Sequence, residues 1–181
     1  GTHGYSGLAR VIHGSMAETV MRGAGKPVLA VHAGRGAVAL KRLLCPYNMR
    51  GYSVAALQYA ARLALALEAE LTVLYVPSKT QRGVQALADL DAEVRKILGP
   101  LAPNLALQVI PGAPGDIMAR DAMKGRFDLV VLAEHEGPWP GRLFGTTAER
   151  LLRQMNAPLL TVPAAEIERV DLDDVTSLTC P

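Results

Sequence analysis

The sequence has few aromatic residues, only two cysteines and almost no net charge, and each scarcity excludes a class of protein. Aromatic residues make up 4% of the chain, so its core must be packed mainly with Leu, Val, Ala and Ile. Cys45 and Cys180 lie too far apart to form a metal-spaced pair, a pattern typical of a reducing compartment. A formal charge of +2 without a basic cluster gives no reason to expect a nucleic-acid partner.

Long apolar runs are also missing. The longest one, over residues 54–67, contains Gln58, Tyr59 and Arg62 and is too short to span a bilayer. The first residues are glycine-rich, unlike the charged start and apolar run of a secretory leader. Half of the residues are nevertheless hydrophobic, so the chain can bury a sizeable core. We therefore expect a soluble, cytoplasmic protein with no membrane partner.

What the sequence does contain is an internal repeat. Residues 14–31 (GSMAETVMRGAGKPVLAV) align without gaps with residues 145–162 (GTTAERLLRQMNAPLLTV), and residues 1–4 (GTHG) match residues 133–136 (AEHE). The identical positions in the longer pair are Gly14/Gly145, Ala17/Ala148, Glu18/Glu149, Arg22/Arg153, Pro27/Pro158, Leu29/Leu160 and Val31/Val162. Each copy opens a helix with a glycine and a hydroxyl residue and enters an apolar strand after a proline. The end of the chain therefore repeats its beginning.

Between the two copies, short apolar runs alternate with helical patterns. We predict strands at 41–46, 70–76, 105–110, 127–132 and 158–162, and helices at 52–68, 84–98, 116–124 and 143–156. This alternation favours an α/β fold whose parallel sheet is covered by helices on both faces. The predicted organisation is the last helix and strand of a first domain at 1–32, a linker at 33–40, a complete second domain at 41–163 and a polar, acidic tail at 164–181.

The first copy has glycines at the spacing of a phosphate-binding loop. Gly1, Gly4 and Gly14 would let the backbone approach a bulky anion, and Ser15 adds a hydroxyl where a helix N-terminus offers free N–H groups. The same residues also suit turns and a helix cap, so the spacing alone leaves both interpretations open.

These residues carry a family resemblance. Gly1, Gly4, Gly14 and Ser15 match the G-2X-G-9X-G-[S/T] nucleotide motif of universal stress proteins of the UspA type. Residues 41–163 are similar to the same family in the segments LLCPYN, LTVLYV and DLVVLAEH and in the glycine and proline at 112 and 114. The resemblance implies a tandem member with an incomplete first domain and a Rossmann-like, adenine-nucleotide-binding fold. Its open sheet would have five parallel strands in the order 3-2-1-4-5, with helices on both faces and ATP or another adenine nucleotide as the usual ligand. Mg²⁺ could accompany ATP, but no residue pattern in the sequence calls for the ion.

The resemblance also implies which residues surround the nucleotide: Gly1, His3, Gly4, Gly14, Ser15, Pro46, Tyr47, Asn48, Val76, Gly112, Ala133, His135, Gly145, Thr146 and Thr147. The second copy departs from the family pattern at three places. Asn48 replaces an acidic residue, and Ala133 and Glu136 replace the first two glycines. A carboxylate about 4 Å from a phosphate is repelled by roughly 1–4 kcal/mol. We therefore expect the complete domain to bind nucleotide weakly and the intact motif to belong to the incomplete domain.

Three hypotheses for the function remain open. The leading one is a universal stress protein that acts by binding an adenine nucleotide and by association, with no catalytic residue and no metal ligand assigned. The second is a nucleotide-free stress or signalling module that works through protein pairing, and the third, less favoured, is a slow ATPase. A lone helix and strand leave a sheet edge open, so the segment needs a partner. Domains of the family that the sequence resembles pair through their last strands, and the resemblance therefore implies that residues 27–31 lie beside 158–162, within the chain, between two copies, or both.

Overall fold

The computed structural model describes residues 24–31, 39–77, 83–101, 103–112, 126–134 and 157–164. Within them are six strands and two helices, in the order β1 (Val28–Ala30), β2 (Arg42–Pro46), α1 (Gly51–Ala66), β3 (Glu70–Tyr75), α2 (Gly83–Leu98), β4 (Asn104–Val109), β5 (Leu129–Ala133) and β6 (Leu159–Val162). The helices predicted at 116–124 and 143–156 and the acidic tail lie outside the described residues.

The strands form one mixed sheet in the order β1-β6-β5-β2-β3-β4. Each neighbouring pair from β4 to β6 is parallel, and β1 is antiparallel to β6. The α/β class is confirmed. The described strands of residues 41–163 are parallel and lie in the order β4-β3-β2-β5-β6, and β1 adds a sixth, antiparallel strand at the edge of β6, so the sheet as a whole is mixed.

The core lies on both faces of the sheet because alternate strand residues point to opposite sides. Leu43, Leu71 and Leu129 share one layer with the buried residues of α1 and α2, which therefore cover the same face. Leu44, Val130 and Leu159 belong to the layer on the opposite face. Consecutive right-handed crossovers from β2 to β3 to β4 place both helices on one side.

The buried face of helix α1 is rich in small residues, since five of its seven buried residues are alanine and the other two are Ser53 and Leu57. Ala55, Ala56, Ala60, Ala61 and Ala64 are all nearly or fully buried. Small side chains shorten the distance between helix and sheet, so a core with few aromatic residues can still be densely packed. Helix α2 instead is amphipathic, and the residues that it buries are Ala86, Leu90, Val94 and Leu98.

Polar contacts fix the amino ends of the central strands. The Asp128 carboxylate, just before β5, accepts hydrogen bonds from the Lys41 and Arg42 backbone N–H groups at 3.2 and 3.0 Å. The Arg42 guanidinium adds two bonds to the same carboxylate, Nη2 to Oδ1 at 2.7 Å and Nε to Oδ2 at 3.2 Å. The Lys41 ammonium donates to the Leu67 carbonyl at the end of α1, 2.8 Å away. One short segment thus ties β2, β5 and α1 together.

Candidate functional site

The carboxyl ends of the parallel strands meet at one edge of the sheet, and this edge is the candidate site. Strand β2 lies in the middle of the sheet. The chain first adds β3 and β4 on one side of β2 and then adds β5 and β6 on the other side. In open α/β sheets, ligands bind in the crevice at the point where the strand order reverses. Here that crevice lies between the ends of β2 and β5, so residues 46–48 and 133–134 border it.

The side chain of Asn48 forms hydrogen bonds that join the end of β2 to the start of α1. Its Oδ1 accepts a hydrogen bond from the Arg50 backbone N–H at 3.1 Å and lies 2.8 Å from Ser53 Oγ, while its Nδ2 donates to the Tyr52 hydroxyl. Met49 between them has a φ of 58°, a left-handed conformation that this turn requires. Asn48 therefore uses both of its polar side-chain atoms in hydrogen bonds within residues 48–53, at the carboxyl end of β2.

Tyr47 contributes its backbone to the edge and its side chain to the core. Its N–H donates to the Leu74 carbonyl at 2.9 Å, which extends the pairing of β2 with β3. The side chain is buried in the layer under α1 and α2. Burial, with the charge of Glu93 as a smaller cause, raises the pKa of the Tyr47 phenol to about 12.

The ends of β3 and β4 complete one side of the edge. Val76 is half-buried and packs against the layer opposite α1 and α2. Gly112 is exposed and has a φ of 142°, which a residue with a side chain rarely adopts. The Ile110 N–H donates to the Tyr75 carbonyl at 3.1 Å, so the pairing of the two strands continues to this edge. These contacts give the edge a defined backbone shape.

The end of β5 offers a carboxylate and no free backbone donor at position 134. The Glu134 N–H donates to the Val162 carbonyl at 2.8 Å, and Ala133 packs against the layer under α1. A phosphate cradle needs unengaged N–H groups. In the second copy, the Glu134 N–H is therefore not available to a phosphate, and the glycine of the motif is replaced by Ala133. Glu134 was not among the residues expected from the sequence, although its place directly after a buried strand could have pointed to it.

The structure places six of the fifteen expected site residues: Pro46, Tyr47, Asn48, Val76, Gly112 and Ala133. All six lie at or just beyond the carboxyl ends of β2 to β5. The remaining nine, Gly1, His3, Gly4, Gly14, Ser15, His135, Gly145, Thr146 and Thr147, lie outside the described residues. In the described ranges no three His, Cys, Asp or Glu side chains are grouped so that they could hold a metal ion.

The buried hydroxyl of Thr161 on β6 has no hydrogen-bond partner within the part of the chain that the structure describes. We expect Thr161→Val to raise the free energy of unfolding by about 1 kcal/mol, because it removes an unsatisfied polar group at nearly constant volume. Thr161→Ser, which keeps the hydroxyl and loses the methyl group, should lower it. Urea denaturation of the three proteins measures both changes, and a destabilised valine variant would contradict the prediction.

An open α/β sheet with a crevice at its strand switch is typical of ligand-binding α/β proteins. A family model described as the universal stress protein family matches residues 39–163, and the chain belongs to that family. No curated protein shows significant similarity to the sequence. None of the described helices is long and apolar enough to cross a membrane.

Solved structures with the same fold include three universal stress proteins. UspA from Lactobacillus plantarum is 21% identical, with a TM-score of 0.53 over 70% of this chain and 99% of that one. A protein from Archaeoglobus fulgidus is 18% identical, with a TM-score of 0.60 over 76% of this chain and 49% of that one. A universal stress protein in complex with cAMP is 20% identical, with a TM-score of 0.56 over 70% of this chain and 99% of that one.

Proposed function

We propose that this chain is an adenine-nucleotide-binding regulatory protein of the stress response, which acts by binding and pairing and not by turnover. The observation that carries the proposal is the reversal of strand order between β2 and β5, the place at which open α/β sheets bind ligands. The cAMP complex of a protein with the same fold supports an adenine nucleotide as the ligand class. ATP, with Mg²⁺ as its counter-ion, is the ligand that we propose.

The two copies of the motif contribute unequally to this function. In the second copy, the polar atoms of Asn48 are used within its loop and the Glu134 N–H is used in the sheet. We therefore assign the main phosphate contacts to the first copy, at Gly1, Gly4, Gly14 and Ser15, and only weak binding to the second. The same features favour the alternative, a nucleotide-free module that works through protein pairing.

The tandem organisation belongs to the same proposal. Leu29 and Leu160 are equivalent in the repeat, yet Leu29 is 51% exposed and Leu160 only 7%. Val31 and Val162 differ in the same way, at 46% and 0%. The residues of β6 are covered by α1 and by β5, and β1 has no such cover among the described residues. A strand and a helix of a first domain would bury Leu29 and Val31 as β5 and α1 bury their equivalents.

Isothermal titration of ATP into the chain, with and without Mg²⁺, tests the proposal. We expect a dissociation constant of roughly 0.1–1 mM, which corresponds to about 4–5.5 kcal/mol, because neither copy is a complete site. Gly14→Val should abolish the heat of binding and Gly145→Val, at the equivalent position of the repeat, should leave most of it. The reverse pattern would assign the ligand to the second copy. No heat at millimolar ATP would reject nucleotide binding and leave the pairing module.

A further inference from the structure

The pairing between β2 and β5 is shorter than the two strands themselves. Residues 43–44 pair with 129–130, although β2 continues to Pro46 and β5 to Ala133. On their outer sides both strands stay paired to their ends, β2 with β3 as far as Pro46 and β5 with β6 as far as Ala133. The interruption therefore lies at the reversal of strand order, between the two strands that border the candidate site.

Pro46 turns the side of its backbone that lacks an N–H group towards β5. The Tyr47 N–H donates to the Leu74 carbonyl, and the Lys41 carbonyl accepts from the Glu70 N–H, both on the β3 side. Successive residues of a strand direct their N–H and C=O groups to opposite neighbours. The even-numbered residues of β2 therefore face β5, and a proline at position 46 has no donor to offer there.

The Val131 carbonyl is the group that lacks this donor. The Val130 N–H donates to the Pro158 carbonyl on the β6 side, so Val131 directs its own backbone groups towards β2. Since residue 44 pairs with residue 130, the next bond of the parallel ladder would run from the N–H of residue 46 to the Val131 carbonyl. Val131 is fully buried, and a buried carbonyl without its ladder donor is costly. A proline within a central strand is correspondingly rare, so the chain gives up a stabilising bond where the candidate site lies.

We propose that Pro46 is a positioning residue, which ends the pairing of β2 with β5 early and leaves the carboxyl ends of the two strands able to separate around a ligand. The part of the ligand rests on the proposed function, whereas the backbone effect does not. Pro46 acts through the missing bond to the Val131 carbonyl and not through contact of its ring with the nucleotide. A residue with an N–H group at position 46 would join the two strand ends by one more bond and hold them together.

Nuclear magnetic resonance of the isotope-labelled full chain tests the backbone effect. In Pro46→Ala and Pro46→Val, the new N–H should exchange with solvent at least about 100-fold more slowly than an unprotected amide. The Val131 carbonyl resonance should move downfield as it gains a donor. The two variants differ in side-chain volume, so a shared result comes from the N–H group. Pro103→Ala, at a half-buried proline before β4, is the matched control and should leave the Val131 resonance unchanged. An unprotected amide at position 46 in both variants would overturn the proposal.

Titration of ATP, followed at the amide resonances of Tyr47 and Glu134, tests the effect on the site. These amides directly follow β2 and β5, so they report on the complete domain and not on the first copy of the motif. Half-saturation should need at least about five times more ATP in both Pro46 variants than in the wild type, and Pro103→Ala should match the wild type. Variants that gain the bond and bind ATP as the wild type does would overturn the positioning role. A wild-type chain without any response would instead reject nucleotide binding at this edge, while the exchange rates still decide whether Pro46 ends the pairing.

Discussion

Replacing Asp128 with alanine is expected to lower the free energy of unfolding by about 2–3 kcal/mol, a loss that urea denaturation measures directly. The Asp128 side chain is only 10% exposed and accepts two backbone N–H bonds at the start of β2. Alanine would leave those two N–H groups without their acceptor at the junction of the two central strands. The expected loss comes mainly from these backbone bonds, because the Arg42 side chain is half exposed and its ion pair is screened by solvent.

A second aspartate in the chain provides the matched control. Asp91 pairs with Arg95 at 2.9 Å, one turn apart on the exposed side of α2. Exposed pairs of this kind contribute about 0.3–0.5 kcal/mol, so Asp91→Ala should change stability by no more than that. Equal losses for the two aspartates would show that the contacts of Asp128 with the Lys41 and Arg42 backbone contribute no more to the free energy of unfolding than an exposed ion pair does.

The same contacts make a prediction for the pH dependence of stability. The hydrogen bonds of the Arg42 guanidinium, followed by those of the Lys41 and Arg42 backbone, hold the pKa of Asp128 below its usual value. The contribution of Asp128 is therefore complete above its unfolded pKa of about 4 and is lost as the pH falls through the lower pKa of the folded state. Asp128→Asn should lower stability at pH 7 and flatten its decline below pH 4. A parallel shift of the whole curve would contradict the assignment.

The strands could be predicted closely because they are apolar runs that end at prolines or turns. The run ELTVLYV before Pro77 predicts a strand at 70–76, and β3 is Glu70–Tyr75. The family resemblance also implied that residues 27–31 lie beside 158–162, and β1 does pair with β6 inside the chain. The strand positions depend on local sequence patterns, whereas this pairing was expected from the way domains of the family associate.

The polar contacts could not be predicted in this way. Asp128 and Arg42 are 86 residues apart, and a charged residue before a strand is compatible with many partners. Asn48 was interpreted through its place in a family pattern, but its hydrogen bonds with Tyr52 and Arg50 depend on the angle at which α1 leaves β2. The burial of the Tyr47 side chain likewise depends on how α1 and α2 cover the sheet. Such features are set by packing and not by local sequence.

The alanine face of α1 leads to the second large expected effect. Ala60 is fully buried in the layer between α1 and the sheet. Ala60→Leu should lower the free energy of unfolding by about 2–3 kcal/mol, because the extra carbons have no space unless the helix moves away from the strands. Movement of α1 would also displace Ser53, which bonds to Asn48 at the candidate site.

Ala66→Leu is the control for this substitution, because Ala66 is exposed at the end of the same helix and the two changes have equal effects on helix propensity. We expect it to alter stability by less than about 0.5 kcal/mol. Thermal and urea denaturation of both variants measure the difference. If Ala60→Leu were as stable as Ala66→Leu, α1 would not pack closely on the sheet, and the small residues on its buried face would need another explanation. A large loss confined to Ala60→Leu would instead establish that alanine at this face sets the distance between α1 and the strands that carry the site.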